Sequence, residues 1–259
     1  MSKEMLYSEI VEVYEKLYAT SKRLEKETIL AEFLKKLSNY ETEEWIYLLR
    51  GKVLPDYDDK EFGISDKLAI KVIAVSFGVK EEDVYLRYRK IGDIGEIAEE
   101  FSKKKRQKSL FSSKLTVAKV FGNLRKIMEI TGKGTVKGKL DLVSDLLGNA
   151  NEKEAKYIVR TLLGQLRVGV ADAILRDAIS EAIFPKEKKE MSEKIEIAYD
   201  MINDFAVVFD AAKKGKKELE KIKIVVGRPT NVMLPVKVTE ISDAFRICGK
   251  PAAIEHKYD

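Results

Sequence analysis

Along most of this chain apolar residues recur at the three- and four-residue spacing of a helix that buries one face. Leu6, Ile10, Val13 and Leu17 share a face, as do Val117, Val120, Phe121, Leu124 and Met128. The cleanest stripe is Ala155, Ile158, Val159, Leu162, Leu163 and Leu166. It opens on Asn151 with Glu154 three residues on, the spacing of a capping box. Thr116 is placed to cap the helix that runs toward Gly132, and Gly148 to end the one over KLDLVSDLL. A longer helix is expected after Ser192, with Ile195, Ala198, Ile202, Phe205 and Phe209 inward. No heptad runs long enough for a coiled coil, and no fixed-period repeat is present.

The pattern changes near Lys213 to Lys217, KKGKK, which reads as a linker. Beyond it KIKIVVG and AAIEHKYD read as strands, with RPTNVMLP an irregular connection between them. Thr239 to Gly249 reads as a short helix closed by its glycine. The expectation is therefore mainly α: an all-helical domain over 1–215, then the opening of an α/β or β-rich domain over 216–259. Roughly 40 residues cannot bury a core of their own. The tail must pack on the helices or belong to something larger, and the second is expected.

Composition narrows the class. Of 259 residues, 45% are hydrophobic and 35% charged, which excludes a disordered chain. No apolar run approaches the roughly 20 residues that span a bilayer, and the acidic, amphipathic start is not a secretory signal. Cys248 is alone and His256 is the single histidine, so neither an internal disulfide nor a cysteine or histidine metal cluster is available. A lone cysteine points to a reducing, cytoplasmic setting. The net charge of +5, from 48 basic and 43 acidic residues, permits a nucleic-acid partner without demanding one. High Lys and Glu content also suits a protein from a hot environment. Trp45 and the tyrosines fall at helical spacing and read as core.

Three stretches carry candidate chemistry. In EHKYD, Lys257 sits in an apolar, strand-like run, where desolvation would lower its pKa and make the amine a nucleophile; the plain alternative is a surface lysine. In TLLGQLRVGVADAIL, Gly164 and Gly169 bracket Arg167 between two helices. Glycines there let backbone N–H groups approach a phosphate, the next helix's dipole favours it, and Arg167 can grip it. TGKGTVKGK, with Gly132 and Gly134, has the same character, although glycines of this kind also simply cap helices. In KKKRQKSLFSS five of the six residues from Lys103 to Lys108 are basic. Gln107 there offers a polar anchor and Leu110 with Phe111 a hydrophobic plug.

Taken together these stretches resemble the ATP-dependent DNA ligases of the archaeal and eukaryotic replicative type. EHKYD is similar to the start of their Lys-x-Asp-Gly signature, LLGQLRVGVADAIL and LTVAKVFGNLRKIMEITGKGTVKGK to segments of their DNA-binding domain, VGRPTNVMLP to the passage into their adenylation domain, and QKSLF to the short sliding-clamp motif of archaeal ligases. The resemblance implies an all-helical DNA-binding domain followed by the first strands of an α/β nucleotidyltransferase, the adenylation domain. It implies that Lys257 is adenylylated, that Glu255 helps recognise adenine, and that Gly132, Gly134, Gly164, Arg167 and Gly169 hold DNA phosphates. Gln107, Leu110 and Phe111 would reach the clamp, PCNA. The intact enzyme would use ATP and Mg2+, seal nicks in duplex DNA during replication, repair and recombination, and act as a monomer at the nucleoid.

The signature stops after its aspartate, so this chain is expected to be the front part of a larger enzyme, inactive alone. Two other readings stand beside it: a non-catalytic helical adaptor that binds a clamp or another protein, and a different lysine nucleotidyltransferase. The large helical domain ahead of Lys257 argues against the latter.

Overall fold

The computed structural model describes residues 4–37, 44–103, 114–132, 134–231 and 237–255. Among them lie fourteen helices and no named strand. The first seven are α1 (Tyr7–Tyr18), α2 (Arg23–Leu37), α3 (Glu44–Leu48), α4 (Asp66–Phe77), α5 (Glu81–Ile91), α6 (Ile94–Lys103) and α7 (Val117–Glu129). There follow α8 (Thr135–Asn149), α9 (Glu152–Leu162), α10 (Asp172–Ile183), α11 (Lys188–Ile202), α12 (Phe205–Lys214), α13 (Lys216–Leu219) and α14 (Ile241–Cys248). No described helix is long and apolar enough to cross a membrane.

Local chemistry sets many of these boundaries. Thr116 Oγ1 accepts from Lys119 N at 3.2 Å and starts α7. At α9 the capping box is complete: Glu154 N donates to Asn151 Oδ1 (2.9 Å) and Asn151 N to the Glu154 carboxylate (2.8 Å). Two boundaries differ from the sequence expectation. The eighth helix continues through Gly148 to Asn149. The helix expected after Ser192 begins earlier, at Lys188, and is two helices. Asn203, at φ 53°, turns the chain out of α11, and the Asp204 carboxylate then caps α12 by accepting from Ala206 N at 3.0 Å. The apolar stripe from Ile195 to Phe209 is buried throughout and runs straight across this break, which is why periodicity alone joined the two.

The strand expected at KIKIVVG is a correction, and so is the described part of AAIEHKYD; residues 256–259 lie outside the described residues. Residues 222–225 and 252–255 take no regular structure, because no described backbone pairs with them, and a strand exists only against a partner. The expected tail helix is present as α14, closed by Gly249, but none of its residues is buried. Ahead of it the chain is fastened to the helices. Asn231 N donates to Asp200 O (2.8 Å), its side-chain amide to Asp200 Oδ1 (3.1 Å), and Arg228 lies 5.0 Å over the Tyr57 ring.

Trp45, 1% exposed, joins α2, α3 and α12 through edge-on contacts with Phe33 (6.2 Å) and Phe209 (5.1 Å). Tyr14 of α1 packs on Tyr157 of α9 at 4.8 Å. Helix α6 packs along α9. A Cβ on Gly95 would lie 2.5 Å from Arg160 Cγ and 2.9 Å from Lys156 O, so this approach needs glycine. Beside it runs a polar seam in which Glu15 accepts from Tyr157 Oη (2.6 Å), Lys153 Nζ (2.6 Å) and Lys156 Nζ (3.1 Å). Burial by itself would push the Glu15 carboxyl up, but hydrogen bonds from Lys153, Tyr157 and Lys156 override it and hold it at about 2. Between α3 and α4 a long loop is pinned by cations that donate to its carbonyls, Arg125 Nε to Val53 O (3.0 Å) and Lys139 Nζ to Phe62 O (2.6 Å).

Two outcomes are expected. Gly95→Ala should lower the unfolding free energy by about 1–3 kcal/mol in denaturant titrations, through overpacking between α6 and α9. Glu15 is about 2 when folded against an ordinary 4.5, so its contribution is complete above pH 4.5 and is lost as pH falls toward 2. Denaturant titrations across that window should show Glu15→Gln with a shallower acid slope than the unaltered protein; equal slopes would mean Glu15 does not carry it.

Candidate nucleic-acid interface

Arg167 lies in the loop between α9 and α10, where exposed and buried residues alternate: Gln165, Arg167 and Gly169 face out, while Leu166 and Val168 are buried. Three residues of this loop have left-handed backbone, Gly164 (φ 65°), Arg167 (φ 59°) and Gly169 (φ 66°). For a non-glycine residue that conformation costs roughly 1–3 kcal/mol, so the surroundings must hold Arg167 in place. They do so on two sides. From below, Asp93 Oδ2 accepts from Arg167 Nη1 at 3.1 Å; alongside, Gln165 Oε1 accepts from Nη2 at 2.9 Å.

Asp93 ends the turn after α5 and is itself buried. Its Oδ1 caps α6, accepting from Gly95 N (2.9 Å) and Glu96 N (3.2 Å). Its Oδ2 also takes Nη2 of Arg160, 2.7 Å away and 1% exposed. Burial would push the Asp93 carboxyl up, but Arg160, the capping amides and Arg167 keep it below the usual carboxylate range. The opposite side of the loop rests on α2, where buried Lys26 donates from Nζ to Val168 O at 2.6 Å. A Cβ on Gly169 would fall 2.4 Å from that amine. Gly169 thus has a reason internal to the fold, apart from any phosphate contact.

The helix that follows is less open to an anion than the sequence implied. Asp172 sits in the first turn of α10, where it pairs with Arg50, and so already places a carboxylate at the positive end of that helix. The start of α8 is different. Gly134, at φ 85° and ψ 1°, precedes it with no side-chain cap and no acidic residue in the first turn. The first N–H groups of that helix are accordingly left to solvent or to an anion.

Leu162, Leu163 and Gly164 share a groove of about 730 Å³ with Met128, at the end of α7, and with the loop between α3 and α4. Gly132 and Gly134 follow Met128 by a few residues but do not line it. The groove is lined by Asp56, Asp58, Asp59 and Glu61 beside Lys52 and Lys60, so its lining does not favour phosphate. Arg167 and Gly169 do not line it either. Glu255 is exposed at the end of the described tail. Lys257, Gln107, Leu110 and Phe111 fall outside the described residues. Sequence reasoning missed Asp93, Arg160 and Lys26. Asp93 with Glu96 three residues on does carry a helix-start signal, but nothing local marks its second task or a lysine folded beneath a distant loop.

The family described as DNA ligase N terminus matches residues 6–180. A DNA ligase of Thermococcus fumicolans is 40% identical over 256 residues, covering 98% of this chain and 45% of that relative. DNA ligases of Thermococcus onnurineus (strain NA1) and Nanoarchaeum equitans (strain Kin4-M) are each 38% identical, covering 99% and 98% of this chain and 45% and 44% of their own lengths. The chain spans less than half the length of these relatives, and it belongs to the DNA ligase family, of which it corresponds to the N-terminal part.

Proposed function

We propose that this chain is the DNA-gripping part of an ATP-dependent ligase that seals nicks in duplex DNA. The observation that carries the reading is the left-handed loop that holds Arg167 outward, in a chain of the DNA ligase family. Arg167 contacts phosphates on one stretch of the duplex, with the exposed glycines Gly164 and Gly169 letting the backbone come close; the amides of Gly164 and Gln165 themselves donate to Thr161 O and Arg160 O. The uncapped start of α8, after Gly132 and Gly134, contacts another. Such contacts read no bases; they position the duplex and make affinity fall with salt. Residues 1–215 form this grip, and 216–259 open the adenylation domain.

In the intact enzyme the Lys257 amine attacks the α-phosphate of the substrate ATP. A P–N bond forms, the bond to the bridging oxygen breaks, and pyrophosphate leaves. The nick's 5′-phosphate then takes the AMP, and the neighbouring 3′-hydroxyl displaces it to join the strand. Glu255 helps orient the adenine. In support, the tail just before Glu255 lines an apolar groove of about 330 Å³ with Val238, Ile241, Phe245 and Cys248, a lining suited to a flat base. Among the described residues no three His, Cys, Asp or Glu side chains converge as a metal site. By itself the chain does not ligate. Gln107, Leu110 and Phe111 recruit it to a sliding clamp.

A salt titration of binding to a nicked duplex tests the grip. Log affinity should fall linearly with log salt, and Arg167→Ala should weaken binding by roughly 5- to 100-fold while making the slope shallower by about one. No binding even at low salt would sink the reading and favour the adaptor. For the clamp, Phe111→Ala should reduce PCNA affinity at least about tenfold in calorimetry, as loss of a buried aromatic anchor does; an unchanged affinity would remove that contact.

A further inference from the structure

Arg167 is exposed, yet its guanidinium is already bonded twice within the protein, to Asp93 and to Gln165. An arginine that grips phosphate from a flexible state must first be ordered, and the lost freedom weakens the grip. Here the ordering is done before any ligand arrives. Asp93 is fixed on its own account, because one oxygen caps α6 while the other is shared with buried Arg160. Glu96, half-exposed, adds a more distant carboxylate at 3.6 Å from Arg160. The shorter of the two Asp93 Oδ2 contacts goes to Arg160, 2.7 Å against 3.1 Å for Arg167. Arg160 therefore takes the larger share of that carboxylate's charge, and Arg167 keeps positive charge to present outward. Two of its N–H groups are used and the others are left for an incoming oxygen.

We propose that Asp93 and Gln165 are positioning residues, which hold Arg167 in a phosphate-ready geometry before DNA binds. This rests on the DNA-gripping reading of the loop. The pair acts through Arg167 and touches no DNA. In its absence the left-handed backbone at Arg167 and the direction of its side chain are no longer enforced.

The test is a double-mutant cycle on this chain with a nicked duplex, each variant checked by circular dichroism. Asp93→Asn keeps the shape and the capping oxygen but removes the charge. It should weaken binding by roughly 3- to 10-fold and make the salt slope shallower by about one in the unaltered background, and do neither when Arg167 is already alanine. Equal weakening in both backgrounds, or none in either, overturns the proposal. If Asp93→Asn does not fold, Gln165→Ala decides by the same cycle, since that side chain is exposed and outside the core. In the DNA-free protein, NMR should show the Arg167 Nη protons resolved by slowed rotation, and averaged in both variants; averaged signals in the unaltered chain count against the pre-set geometry. Failure of the unaltered chain to bind any duplex overturns the DNA-gripping reading as well, and is distinct from binding that shows no coupling.

Discussion

A single buried carboxylate ties together parts of the chain that are far apart in sequence. Asp93 begins α6 with one oxygen and, with the other, meets a guanidinium from α9 and one from the loop beyond it. Removing a charge from water costs several kcal/mol unless partners replace the lost hydration. Here the replacement is complete only if α6, α9 and the loop all sit where they do. Gly95 permits it: with no side chain there, α6 comes close enough to α9 for Arg160 to pass beneath. The packing and the charge thus enforce each other, and the geometry of the exposed arginine follows from both.

The same arrangement recurs wherever an irregular segment must be rigid. Lys26 supports the Arg167 loop from α2, and Lys139 with Arg125 supports the long loop between α3 and α4. In each case a cation on a helix donates to loop carbonyls that would otherwise be left without partners on burial. Surface ion pairs in this chain, such as Lys22 with Glu25, are of the kind that contribute little. The inward-facing ones differ, because each decides where a loop lies.

Much of this was readable from the sequence where the cause is local. The capping box at Asn151 and Glu154, the Thr116 cap and the buried Trp45 each need only a few neighbouring residues to specify them, and each is present. Periodicity failed at Asn203, because the apolar face continues across a break that only the Asn-Asp pair betrays. It failed for the expected strands for a different reason: alternation describes a segment, while a strand requires a second backbone to pair with. At the site, the glycine loops and Arg167 were found by residue type and spacing. Asp93, Arg160 and Lys26 were not, since Asp93 and Arg160 stand 67 residues apart and Lys26 and Val168 stand 142 apart. Contacts across such distances leave no periodic trace.

The fastening of Asn231 to Asp200 bears on how this chain would carry whatever follows it. Leu219 ends the last helix packed on the helical body, so a free connection would begin there. Asn231 is held, and Arg228 lies over Tyr57, so the chain is still fastened to the helical body twelve residues later. Twelve extended residues reach about 40 Å. Removing that reach shrinks the volume a tethered module can search and raises its effective concentration near the helical body. Two hydrogen bonds to one aspartate therefore take that reach out of the connection.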